Sequence, residues 1–302
     1  MVNSSSTKIW HLGVVGMSPG NGHPYSWSAI CNGYDPRHLR QTEYPQIADY
    51  LDRQDWPAAR LTDARVDYVW CDEKKRAQSV AHASRIAHVC DTYGELLERC
   101  DAVLLARDDV VTRRPLVQAA LASGKPIFID KPFSLSRAEA ESWLQQQQYP
   151  WQIFTASALR YAPEILLTQA ERDFMGSLQS IAASTPKYWQ TYAVHLLEPL
   201  VAQWGAHATY ERIHASGSGQ ERSLSLTIDG IPAQVQCLGN CQAPIQIEYW
   251  GARNRITKTF IDAFRCFKTS IHEALLQWEN QQVRIDREET LQIAELIEWG
   301  EP

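Results

Sequence analysis

A strand, an amphipathic helix and a second strand follow one another from Asp101 to Pro132, and no other part of the chain restricts its fold as tightly. Asp101-Ala102-Val103-Leu104-Leu105-Ala106 is a short apolar run of the kind that forms a strand buried on both faces. Leu116 to Leu121 has helical spacing, Ala122-Ser123-Gly124-Lys125 ends that helix, and Pro126-Ile127-Phe128-Ile129 reads as the next strand. Asp130-Lys131-Pro132 then falls at the strand's tip. Ligands of open parallel sheets bind outside the carboxyl ends of the strands. A lysine held there is placed to exchange a proton or to anchor a substrate oxygen.

The same alternation runs through the first half of the chain. Strands are predicted over Ile9–Val15, Ala64–Cys71, His88–Cys90 and Trp151–Ser157, with helices over Tyr25–Asn32, Pro45–Leu51, Lys74–His88, Tyr93–Cys100 and Ser136–Gln148. Ser136 is the expected cap of the last of these, with Glu139 at the capping-box position. Alternation of this kind means a doubly wound parallel sheet. A segment of roughly Asp35 to Thr62 is inserted between the first helix and the second strand. Ala162–Phe174 reads as helical. Beyond Leu178 the pattern changes to longer alternating strands, Leu178–Ser184, Tyr210–Ala215, Arg222–Ile228, Ala233–Gly239 and Gln246–Trp250, followed by helices over Phe260–Trp278 and Arg287–Trp299. The expected architecture is α/β: a Rossmann-type domain over 1–157 and, over 158–302, an α/β domain with a mostly antiparallel open sheet.

Composition narrows the function. A net charge of -6 argues against a nucleic-acid binder, which would carry a basic stripe. No apolar run reaches transmembrane length, and Met1–Thr7 reads as a short lead without signal-peptide character. The seven cysteines are scattered, with no C-x-x-C pair and no histidines at zinc spacing, so reduced core thiols in a cytoplasmic protein are expected and no metal site.

Over residues 101–136 the chain resembles the Gfo/Idh/MocA family, named for glucose-fructose oxidoreductase and inositol 2-dehydrogenase. The family pattern is a strand with Asp-Ala-Val, a helix, Ala-Gly-Lys, a strand and Glu-Lys-Pro; here Asp130 replaces the glutamate. The resemblance implies a dinucleotide cofactor, NAD or NADP. The loop after the first strand is not G-x-G-x-x-G, but Gly16, Gly20 and Gly22 would let backbone approach a pyrophosphate at the helix N-terminus. Asp72, at the tip of the second strand, is the candidate for the adenosine ribose, whereas Lys74, Lys75 and Arg76 offer charge for a 2′-phosphate. Asp108 and Asp109, after the fourth strand, read as cap and loop groups, with Asp108 included among the cofactor contacts together with Lys131 and Pro132.

Hydride transfer to or from a carbinol needs a group that handles the hydroxyl proton. Lys131 is the first candidate. His195 is the second: in Thr191-Tyr192-Ala193-Val194-His195-Leu196-Leu197-Glu198, His195 and Glu198 match the histidine and last acid of the family's D-x-G-x-H-x-x-D motif, while Thr191 and Ala193 replace its Asp and Gly. One helical turn would put Thr191, His195 and Glu198 on one face. Lys187, Tyr188, Trp189 and Tyr192 are candidates for the substrate pocket, as are Arg160 and Tyr161.

The resemblance thus implies an NAD(P)-dependent oxidoreductase acting on a secondary alcohol or ketone of a sugar, sugar nucleotide or related polyol, with a link to surface-polysaccharide sugars. It also implies a homodimer or homotetramer formed through the C-terminal sheet. Two alternatives stay open. One is a redox epimerase or glycosidase-type enzyme that retains its cofactor. The other is a non-catalytic dinucleotide-binding regulatory protein, suggested by Thr191 and the altered glycine loop.

Overall fold

The computed structural model describes residues 8–219 and 221–301, so the lead Met1–Thr7 lies outside the described residues. The chain forms two compact units. One comprises Met1–Asp130, Gln146–Phe154 and Phe267–Arg284; the other comprises Lys131–Gln145, Thr155–Cys266 and Ile285–Pro302. The chain therefore passes between units several times, where the sequence alone suggests one boundary near residue 157.

The first unit is built on six strands: β1 (Trp10–Gly16), β2 (Ala64–Cys71), β3 (His88–Val89), β4 (Ala102–Leu105), β5 (Ile127–Ile129) and β6 (Ile153–Thr155). Their order is β3-β2-β1-β4-β5-β6. The β1–β2, β1–β4, β2–β3 and β4–β5 pairs are parallel. This is the doubly wound dinucleotide-binding order, with its switch point between β1 and β4. Every residue of β4 and β5 is buried, as expected of strands covered on both faces. The helices of this half are α1 (His23–Asn32), α2 (Pro36–Arg40), α3 (Pro45–Leu51), α4 (Lys74–Ala83), α5 (Tyr93–Arg99) and α6 (Arg114–Ala122). Side chains fix where several begin: Asp35 accepts from the N–H groups of Arg37 and His38 at the start of α2, and Thr92 from that of Glu95 at the start of α5. The helix expected to reach His88 stops at Ala83, because Arg85 takes a left-handed φ of 53°.

The second unit holds α7 (Arg137–Gln145), α8 (Gln169–Met175), α9 (Trp189–Tyr192), α10 (Val194–Trp204) and most of its own sheet: β7 (Leu178–Thr185), β8 (Tyr210–Ser218), β9 (Glu221–Ile228), β10 (Ile231–Leu238), β11 (Gln246–Gly251) and β12 (Arg255–Thr259). The order is β12-β11-β7-β10-β9-β8, with only β7–β10 parallel among the described pairs. β12 is an edge strand that the sequence reading omits. The expected helix over Ala162–Phe174 is replaced by a 3₁₀ turn at Ala158–Tyr161 and the short α8. The reason is local: Thr168 and Glu171 form a reciprocal capping box that starts a helix afresh.

α11 (Ala263–Asn280) and α12 (Arg287–Trp299) complete the chain. Within the first unit, Gln277 of α11 donates to the carbonyls of Trp151 and Ile153 at 3.1 and 2.7 Å, and Trp278 packs on Trp10 of β1 with ring centroids 5.6 Å apart. α12, capped by Asp286, buries Leu291, Ile293 and Leu296 in the second unit. Among the described residues, no helix is long and apolar enough to cross a membrane.

Candidate active site

Four loops meet at the carboxyl edge of the parallel sheet. The first, Gly16 to Gly22, separates β1 from α1. A Cβ on Gly16 would stand 2.4 Å from Pro24, and one on Gly22 would stand 2.7 Å from Ile47 and 2.8 Å from Tyr44. Those two glycines thus make room for the protein's own side chains, α3 of the insertion among them. Gly20 differs: its φ is 81° and nothing lies within 4 Å of a Cβ built there. Its positive φ is the reason a glycine stands there. At the start of α1 the His23 N–H donates to Asn21 Oδ1 at 2.8 Å, and the first turn carries no acid.

The loop is tied down by polar side chains. Ser18 Oγ donates to Asp108 Oδ1 at 2.6 Å, bridging the loops after β1 and β4 across the switch point. Asn21 Nδ2 donates to Asp130 Oδ2 at 2.8 Å, and His23 Nδ1 lies 2.6 Å from the same oxygen. His23 also stacks on Trp27, which stacks on Phe128. Arg113, fully buried, donates to the carbonyl oxygens of Arg107 and Asp130 at 2.6 and 2.8 Å. Asp130 is therefore a hub for α1, β5 and the loop after β1, a role that its place beside Lys131 does not announce.

Asp72 stands at the end of β2 as expected, with its side chain 59% exposed and Oδ2 2.5 Å from Arg107 Nη1. Arg107 also makes a bidentate pair with Asp109, at 2.9 and 2.7 Å. Burial lowers the Arg107 pKa, but the hydrogen bonds and charges of Asp109 and Asp72 outweigh this and hold it above the ordinary arginine value. This explains how a charged Arg-Asp-Asp run is tolerated at a strand tip. It was hard to foresee because Arg107 follows β4 and reaches past β1 to the end of β2. Lys74 pairs with Asp91 at 2.5 Å, and Arg76 with Glu73 at 3.2 Å and Glu43 at 3.8 Å.

A separate cluster belongs to the second unit. Lys131, 5% exposed and joined to Pro132 by a cis peptide, places Nζ 3.5 Å from the carbonyl oxygen of Thr191 and 5.5 Å from the centre of the Tyr192 ring. The His195 ring meets Tyr192 edge-on at 5.0 Å. Lys187 Nζ lies 2.6 Å from the Tyr192 hydroxyl and 4.6 Å from the ring centre. Tyr192 is thus the common wall of Lys131, His195 and Lys187.

His195 Nδ1 is 2.8 Å from Ser157 Oγ. The Ser157 N–H donates to Glu198, which also accepts from Arg160 Nη1 at 3.2 Å. Arg160 continues to Glu289. Burial pushes the Glu198 carboxyl above the usual range against the opposing charge of Arg160. Lys131, Ser134, Thr155, Ser157, Glu198 and Thr290 line one cavity in this unit.

Two expectations need correction here. Trp189 does not line a pocket: it is 1% exposed, donates to the carbonyl of Ile297 and fills the space against Gly300. Thr191 lies in α9 and His195 in α10; Ala193 between them keeps helical dihedrals (φ -55°, ψ -34°), and the Thr191 carbonyl accepts from Lys131. Arg160 and Glu198 are joined in an ion network, and Glu198 also lines the cavity that Lys131 lines. Tyr188 is 40% exposed and Tyr161 half-buried. Ser157, the partner of His195, was missed because it reads as the end of a strand; its only signal is a hydroxyl immediately before the Ala158–Tyr161 turn that it caps.

The strand order is that of the dinucleotide-binding, doubly wound fold. Residues 44–148 match the profile of the Gfo/Idh/MocA oxidoreductase family, NAD-binding Rossmann fold. The match leaves out β1 and the glycine loop. No curated protein matches the sequence. Several solved structures share the fold over almost the whole chain. GenD2 of gentamicin A biosynthesis, solved with NAD, is 14% identical, with 96% of this chain and 93% of that chain covered and a TM-score of 0.69. A 3-ketoreductase variant from Actinomadura kijaniata, solved with TDP-benzene and NADP, is 16% identical, with 96% of each chain covered and a TM-score of 0.68. UDP-N-acetylglucosamine 3-dehydrogenase from Acidithiobacillus ferrooxidans is 14% identical, with 95% and 94% covered and a TM-score of 0.65.

Proposed function

We propose that the protein is an NAD-dependent oxidoreductase that interconverts a secondary alcohol and a ketone on a sugar, sugar nucleotide or related polyol. The observation that carries this reading is the cluster in which a buried lysine and a buried histidine share one tyrosine wall, Lys131–Tyr192–His195. The substrate class follows the neighbours, which include a sugar-nucleotide 3-dehydrogenase and a 3-ketoreductase. The residues of the first unit fit a dinucleotide. The loop at Gly20, ahead of α1, would face the pyrophosphate, and Asp72 the adenosine ribose. NAD is favoured over NADP because the Asp72 carboxylate, though one oxygen meets Arg107, stays 59% exposed at the end of β2, and Lys74 and Arg76 are each paired with acids of their own.

When bound, the nicotinamide would accept or supply the hydride. The chain's own part is the proton. Lys131 Nζ, held by the carbonyl of Thr191, takes the hydroxyl proton as the alcohol is oxidised and returns it in reduction. His195, oriented by Ser157 and through it by Glu198 and Arg160, is the second proton carrier. Because Ser157 is a hydroxyl, it can give a hydrogen bond to His195 Nδ1 or accept one from it, so either imidazole tautomer can be held.

A panel of UDP-sugars and inositols should yield NADH from NAD. Lys131→Ala should lower kcat about 10²–10⁴-fold while NADH affinity stays within about twofold. Full turnover by that variant would end the proposal. The open face of the second sheet, with Ser180, Ala182, Ser184, Ser223, Ser225 and Thr227 turned away from the buried core side, suits association of two copies. A purely monomeric sedimentation profile at micromolar concentration would refute that part.

A further inference from the structure

At the opposite end of α1 from the glycine loop, the inserted segment returns to the helix and opens a cavity of about 460 Å³. Tyr34 and Trp56 form one wall, their rings edge-on at 5.4 Å. Arg60 and Arg85 approach from the other side. Arg60 Cδ and Arg85 Nη1 each lie 3.8 Å from where a Cβ on Gly33 would stand, and Gly33 has a φ of 80°. Both arginines also line an adjoining cavity that runs along Leu61 to Arg65.

The backbone that carries each arginine is fixed. Arg85 is held in a left-handed conformation, and its carbonyl, with those of Ser84 and Val66, accepts from the buried amide of Asn32. Arg60 lies between the Ala59 carbonyl, bound by Lys268 at 2.7 Å, and the Leu61 N–H, bound to the Ile30 carbonyl at 3.0 Å. Their guanidinium groups are another matter: among the described residues neither makes an ion pair, and neither cavity has a carboxylate in its lining. In a chain with a net charge of -6, other surface arginines do find acids, as Arg40 does with Asp49 and Asp52. Two positioned cations beside an aromatic wall are a recognition site for an anion that carries a ring.

We infer that this cavity binds a ring-bearing phosphomonoester, its dianion between Arg60 and Arg85 and its ring against Tyr34 and Trp56. The site is distinct from the dinucleotide and Lys131 residues and independent of the activity assigned to them. Two guanidinium charges match a phosphate dianion, whereas a carboxylate leaves one charge unanswered.

Isothermal titration of the full chain with phenyl phosphate tests this. One saturable site is expected, with affinity falling as salt rises. Arg60→Gln/Arg85→Gln should weaken binding about tenfold or more, and Trp56→Leu should weaken phenyl phosphate while leaving inorganic phosphate unchanged. Both changes sit at partly or fully exposed side chains, and an unchanged melting temperature will show that the fold survives. Binding that NADH displaces, that the double variant retains, or that benzoate equals would overturn the inference, as would no saturable binding at all.

Discussion

Two buried arginines each gather two carboxylates, yet the two networks are built for different ends. Arg160 holds Glu198 and Glu289 with side-chain exposures of 4% and 17%, and the assembly is sealed. Arg107 holds Asp109 and Asp72, and Asp72 is 59% exposed. In the first network one guanidinium serves two carboxylates inside the protein. In the second, the arginine is buried and one acid is presented outward at the end of β2. A network of the first kind positions; one of the second kind also leaves an acid open to solvent.

The largest effect should come from opening the sealed network. Arg160→Met leaves two carboxylates without their partner, one of them fully buried. Removing one member of a buried pair costs about 3–5 kcal/mol, so denaturant midpoints should fall by that equivalent. A loss below about 1 kcal/mol would mean that the network behaves like a surface pair and would erase the contrast with Arg107.

A smaller effect sharpens the same point through pH. Burial holds Glu198 above the usual carboxylate range in the folded protein. For an acid whose folded pKa is raised, the stabilising contribution is complete below the unfolded value of about 4.3 and is lost as pH rises through the folded one. Glu198→Gln removes that titration. The deficit of the variant relative to the parent should therefore narrow as pH rises from about 4 to 7, by at most about 1.4 kcal/mol per pH unit. A deficit that widens over this range would show that attraction to Arg160 outweighs burial.

The contrast also explains what could be read from the chain. The parallel sheet was legible because its strands are short apolar runs with few alternatives, as in Ala102–Leu105 and Ile127–Ile129, and because the pattern continues to Lys131 without a break. Asp72 and His195 were legible because their positions follow from strand ends and a local motif. Arg107's partners were not, since a long side chain crossing a neighbouring strand leaves no periodic trace. Nor was the Ser157–His195 contact, which joins residues 38 apart through the turn that replaces an expected helix. Trp189 misled for a related reason: aromatic residues beside a motif suit a pocket or a core equally well, and only packing against Ile297 and Gly300 decides.

The smallest stability change and the most specific functional one should come from Asp72→Asn. Asp72 uses Oδ2 to meet Arg107, and Asn keeps an oxygen for that purpose, so the melting temperature should move by the equivalent of about 0.5 kcal/mol or less. Recognition of a ribose diol depends on the charge, because both hydroxyls donate to the carboxylate. NADH affinity should therefore fall about tenfold, or about 1.4 kcal/mol, while NADPH affinity should not fall, since a 2′-phosphate gains from losing a nearby negative charge. If the parent binds NADPH more tightly than NADH, Asp72 belongs with Asp109 as a counter-ion of Arg107, and both arginine networks serve only to hold the protein's own charges.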